Sequence, residues 1–131
     1  MRVRVIDLRS RLITAGEATD SLAERGVLEL HGAPEALIAE LQALGYAVSR
    51  EGGLVRAAKG LVPPLIDLTG LEAPEPMQRI LLAFSKLQPG EVFLALLPHR
   101  PVPLFPHLEA RQASYDVALR PDGTAVLWLS R

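Results

Sequence analysis

Ile66-Asp67-Leu68-Thr69-Gly70-Leu71-Glu72-Ala73-Pro74-Glu75-Pro76 is the stretch on which the reading of this chain turns. An apolar start from Leu65 to Leu68 reads as a strand. Two spaced prolines then lead into Met77 to Leu87, where Met77, Ile80, Leu81 and Phe84 recur at helical spacing on one face. Downstream, Gln88-Pro89-Gly90 turns the chain into Val92 to Leu97, an unbroken apolar run of the kind expected of a strand covered on both faces. Pro98 to Pro103 is a proline-rich loop, and Leu104 to Gln112 reads as a second helix with Pro106 in its first turn. Two strands, Tyr115 to Leu119 and Thr124 to Leu129, close the chain through the turn Pro121-Asp122-Gly123.

Upstream, the same order of elements is legible in fainter form. Val3 to Leu8 reads as a strand and Glu17 to Glu24 as a short helix stopped by Gly26. Val27 to Leu30 is a second strand. Pro34 to Leu44 is a helix with Leu37, Leu41 and Leu44 on one face and Gly45 as its stop. Tyr46 to Ser49 and Leu54 to Ala57 flank Glu51-Gly52-Gly53, a hairpin signal. Each half therefore runs strand, helix, strand, helix, strand, strand. Ile6-Asp7-Leu8 recurs as Ile66-Asp67-Leu68, and Leu41 to Tyr46 corresponds to Leu108 to Tyr115. The expectation is an α/β (α+β) chain of tandem βαβαββ units, residues 1–59 and 65–131, joined by the short connector Lys59 to Pro64. A unit of this size buries a limited core alone. Doubling would help if the copies docked over an apolar helix face or paired exposed sheet edges.

Composition narrows the function classes. Hydrophobic residues make up 49% of the 131 residues, which predicts a packed core. With 14 basic and 15 acidic side chains the net charge is −1, so no basic face for nucleic acid and no attraction to an anionic membrane is expected. The absence of cysteine excludes disulfides, thiolate metal sites, iron–sulfur clusters and thiol nucleophiles. Met1 to Asp7 lacks the apolar stretch of a signal peptide, and Val92 to Pro98 is too short to span a bilayer, so the reading is a soluble cytoplasmic protein. No cofactor motif is present: there is no P-loop, dinucleotide fingerprint or nucleophilic serine motif.

The Ile66 to Pro76 segment, Gln88-Pro89-Gly90-Glu91 with its apolar strand, and His99-Arg100-Pro101-Val102-Pro103-Leu104 with its helix occur in the order of a known pattern. In these features residues 65–131 resemble the TusA-like (SirA-like) superfamily, closest to its uncharacterised domain-of-unknown-function branch. Residues 1–59 lack both prolines and would be a degenerate copy. The resemblance implies a two-layer α/β sandwich, a mixed four-stranded sheet with two helices on one face. In the sulfur carriers of that superfamily a Cys-Pro-x-Pro motif places a cysteine at the start of the first helix, where helix amides and dipole favour a thiolate. Here that position is Ala73, followed by Pro74 and Pro76. A methyl group cannot carry a persulfide, so sulfur relay is excluded by chemistry.

Candidate ligand-binding residues are few. His99, in a loop at a strand end, is the first to examine, with Arg100 beside it as a partner for a carboxylate or phosphate. Asp67 and Glu75 are the carboxylates in reach of acid–base work, although Asp67, like its counterpart Asp7, also suits a turn-capping role. Free amides at the helix start could hold an anion, but two early positions are prolines and Glu72 and Glu75 add negative charge. His31, His99 and His107 lack the spacing that sets two metal ligands on one helix face, so no metal site is assigned. Tyr115 and Trp128 read as sheet-face packing residues.

The leading expectation is a non-catalytic binding or accessory module with no cofactor. The resemblance implies a protein partner near redox or metal metabolism, hemerythrin-like or sulfur-transfer proteins being the classes it suggests. Two alternatives stay open: a small-molecule or metal-binding enzyme using the His99 loop, and a pseudo-carrier that docks to sulfur-transfer enzymes.

Overall fold

In the computed structural model, which describes residues 1–131, the chain separates into Met1–Val62 and Pro63–Arg131. The first unit contains β1 (Val3–Asp7), α1 (Ala15–Thr19), β2 (Val27–His31), α2 (Glu35–Ala43), β3 (Tyr46–Glu51) and β4 (Leu54–Lys59). The second contains β5 (Leu65–Asp67), α3 (Glu75–Ser85), β6 (Val92–Leu97), α4 (Phe105–Ala110), β7 (Ser114–Leu119) and β8 (Ala125–Ser130), with a 3-10 turn at Val102–Leu104 ahead of α4. Each unit forms one mixed four-stranded sheet. The orders are β1-β2-β4-β3 and β5-β6-β8-β7, so strands one and two of each unit are parallel neighbours and the final hairpin is antiparallel. The two units thus share one topology.

Alternation sets the packing. Phe93, Ala95 and Leu97 on β6 and Ala125, Leu127 and Leu129 on β8 point to one face of the second sheet. Ile80 and Phe84 of α3 and Leu104 and Leu108 around α4 close over that face. Burying each leucine, isoleucine or phenylalanine among them contributes about 1.5–3 kcal/mol before the entropy of ordering is charged against it. Tyr115 packs against the same cluster, whereas Trp128, between Leu127 and Leu129, points to the opposite face and is also buried. Leu94 and Leu96 of β6 are buried on that opposite face as well, as the unbroken apolar run predicts. In the first unit Ile6, Leu28, Leu30, Ile38, Leu41 and Val55 make the equivalent core.

Several boundaries differ from the sequence reading for local reasons. The first helix spans Ala15–Thr19, not residues 17–24. Thr14 and Glu17 form a reciprocal capping box: Glu17 N–H donates to Thr14 Oγ1 at 3.1 Å and Thr14 N–H to Glu17 Oε1 at 3.2 Å. The helix stops early because Asp20 is extended and Ser21 adopts φ +61°. Replacing Thr14 with alanine is expected to destabilise the protein by about 1 kcal/mol, read as a lower urea midpoint; an unchanged midpoint would contradict the cap. The third helix begins at Glu75, two residues before the apolar stripe, because Pro76 fits its first turn. The last helix splits into the 3-10 turn and α4, and it ends where Gln112 takes φ +55°.

Asp7 and Asp67 both cap the turns that follow their strands. Asp7 Oδ1 accepts the Arg9 amide at 3.1 Å, and Asp67 Oδ1 accepts the Thr69 amide at 3.0 Å and the Thr69 hydroxyl at 2.6 Å. The two hydrogen bonds from Thr69 hold the Asp67 carboxyl below the usual aspartate range, with Arg120 adding a smaller attraction. A carboxyl depressed in the folded state contributes stability that is fully present above its unfolded pKa and is lost as pH falls through the native value. Carboxyl carbon shifts should therefore show Asp67 titrating below ordinary aspartate. Titration in the ordinary range would contradict the capped turn.

Candidate functional site

The site follows from the parallel pair β5 and β6. Asp67 lies opposite Leu96, so the loops that follow the two strands leave the same end of the sheet. In α/β sheets the crevice outside the carboxyl ends of parallel strands is the usual place for a ligand. The first loop, tied by Leu68 N–H to the Leu96 carbonyl and by Leu71 N–H to the Leu68 carbonyl, runs to the start of α3. The second, tied by Val102 N–H to the Arg100 carbonyl and Leu104 N–H to the Pro101 carbonyl, runs into the 3-10 turn. Between them lies a cavity of about 550 Å³, within the size range of small-molecule pockets.

Its floor is apolar and buried: Ile80 of α3, Leu97 at the end of β6, Pro101 and Leu104. Its rim is exposed and consists of Glu72, Ala73, Pro74, Pro98, His99 and Pro103. Leu71, Pro76 and Met77 are half-buried between the two. The peptide between Ala73 and Pro74 is cis. The structure therefore brings together Ala73, Pro74, Pro76 and His99. The remaining candidates, Asp67, Glu75 and Arg100, lie outside the lining. Asp67 is held by Thr69, and Glu75 pairs with Arg79 at 3.1 Å along α3. Arg100 places its guanidinium 5.5 Å from the centre of the Phe105 ring, which stacks on Tyr115 at 5.2 Å. Tyr115 in turn donates its hydroxyl to Glu109 at 2.8 Å, and that bond pushes the phenol up from its usual pKa.

The carboxylate in the lining is Glu72, which sequence reasoning treats only as charge beside a helix start. The floor residues Leu97 and Leu104 also escape a search for polar side chains, because in sequence they read as core. Only the packing of the two loops exposes them to a cavity.

The helix start is poor in free donors. Pro74 and Pro76 have no N–H, and the Glu75 N–H donates to the Glu72 carbonyl at 2.9 Å. His99 Nδ1 lies 3.3 Å from the Arg100 carbonyl oxygen; the tautomer protonated on Nδ1 donates there and leaves Nε2 as an acceptor. Nowhere do three His, Asp or Glu side chains come together in an arrangement able to hold a metal ion. His107 is exposed on α4, and His31 sits in the first unit with Nε2 at 3.0 Å from Glu29 Oε2. No helix is long and apolar enough to cross a membrane.

No curated protein matches the chain. Residues 65–131, which run from the first residue of β5 to the last residue of the chain, match the family described as "Uncharacterized conserved protein (DUF2249)". Cavity, proline-framed helix start and His99 loop all fall within those residues, and the chain belongs to the DUF2249 family.

Proposed function

We propose that the protein is a non-catalytic binding module whose second unit takes a small, largely apolar molecule in the cavity between the Ala73–Pro76 helix start and the His99 loop. The observation that carries this reading is the cavity itself: about 550 Å³, floored by buried aliphatic side chains and edged by a single imidazole and a single carboxylate. The lining holds no serine, threonine, cysteine or lysine, and the position where a sulfur carrier would hold its thiol is Ala73. The reading includes a TusA-like origin for the unit, supported by its motif order and its βαβαββ topology. It also includes descent of the first unit from a second copy, supported by the shared strand order and the matched turns at Asp7 and Asp67. Partners of the hemerythrin-like or sulfur-transfer classes and a cytoplasmic setting belong to the same proposal, and the cavity's ligand would be what such an accessory module senses or delivers.

The test uses the absence of native thiols. Ala73→Cys places one thiol on the cavity rim. Its alkylation by a bimane reagent should slow at least about fivefold when a neutral apolar probe such as 3-ethylindole saturates the cavity. A labelling rate indifferent to the probe would count against the binding reading.

A further inference from the structure

The chemistry around the cavity specifies the polar end of its ligand. Glu72 is the one charged side chain in the lining, and no lysine or arginine joins it. Arg100, adjacent to His99 in sequence, is drawn over Phe105 and stays outside the lining. A helix start ordinarily attracts anions through free amides. At α3 that capacity is reduced: Pro74 and Pro76 carry no N–H and the Glu75 amide is spent on the Glu72 carbonyl, which leaves the Met77 amide in the first turn. His99 adds an acceptor when its Nδ1 proton is directed at the Arg100 carbonyl. An apolar floor therefore meets a rim that carries one negative charge, an imidazole and no side-chain cation.

We infer that the ligand is an apolar amine, an alkyl or aryl body seated on Ile80, Leu97 and Leu104 with its ammonium group directed to Glu72 and, through a hydrogen bond, to His99. The inference rests on the binding reading above and adds the charge of the ligand to it. An apolar carboxylate of the same shape meets repulsion from Glu72 without a compensating cation.

Isothermal titration of the full chain with three 3-substituted indoles that differ in charge separates the possibilities: cationic tryptamine, neutral 3-ethylindole and anionic indole-3-propionate. Tryptamine is expected to bind about tenfold more tightly than the carboxylate, since attraction and repulsion at a partly solvated carboxylate act in opposite directions on the two probes. In Glu72→Gln the preference should shrink to about threefold or less, each charged probe being compared with 3-ethylindole in the same variant, which separates a charge effect from damage to the cavity. Equal or tighter binding of indole-3-propionate would overturn the amine assignment, and so would a preference that survives Glu72→Gln. In either of those cases binding of 3-ethylindole leaves the apolar-ligand reading standing. Failure of all three probes to bind would remove both.

Discussion

Leu108→Ala is expected to destabilise the second unit by about 3 kcal/mol, within the 2–5 kcal/mol range of buried leucine truncations. Leu108 is fully buried in the cluster that α3, α4, β6 and β8 share. Removing its isobutyl group costs the transfer free energy of the lost carbons and leaves a void that the surrounding sheet and helices fill only in part. Trp128 is the single tryptophan and lies in β8, so its fluorescence during urea unfolding reports on this unit. Leu82→Ala supplies the contrast: Leu82 is on α3 but 56% exposed, and its truncation should change stability by no more than about 0.5 kcal/mol. Equal losses for the two variants would mean that the helices do not cover the sheet face as described.

The second large effect concerns the cavity. Ala73→Trp sets an indole on a rim that now carries only a methyl group, so the substituted side chain occupies the space a ligand would use. Affinity for neutral 3-ethylindole should fall at least about 30-fold, equivalent to about 2 kcal/mol. Stability should move by no more than about 0.5 kcal/mol, because Ala73 is exposed and packs in no core cluster. Leu82→Trp adds the same indole to the exposed side of α3, outside the lining, and should leave affinity unaltered. A large loss of affinity in Leu82→Trp, or none in Ala73→Trp, would move the ligand away from this cavity.

Most of the architecture is legible in the residues because period and punctuation agree. Val92–Leu97, the Gly52-Gly53 turn with Gly52 at φ +60° and the Asp122-Gly123 turn with Gly123 at φ +88° each allow one local solution, and the elements around them fall within a residue or two of expectation. The first helix is the exception. Its start is written in Thr14-Ala15-Gly16-Glu17, a capping signature that an eye following apolar spacing passes over, and its early end depends on a left-handed Ser21 that the sequence does not announce.

The candidate site was legible in a different way. Two of its walls, the Ala73–Pro76 segment and the His99 loop, are marked by proline, which constrains the backbone visibly in sequence. That they face one another follows from parallel pairing of β5 and β6, a long-range fact. The choice among carboxylates was not legible. Asp67, Glu72 and Glu75 lie within nine positions, and side-chain partners separate them: Thr69 takes Asp67, Arg79 takes Glu75, and Glu72 is left on the rim. Arg100 likewise reads as a site residue until Phe105 and Tyr115 offer it an aromatic surface.

The most direct measurement is amide chemical-shift mapping of the full chain during titration with neutral 3-ethylindole. Saturable shifts confined to residues 71–80 and 97–104, with the first unit silent, are the predicted result. Shifts scattered over both units, or centred away from the two loops that follow β5 and β6, would contradict the assignment of the cavity as the binding site.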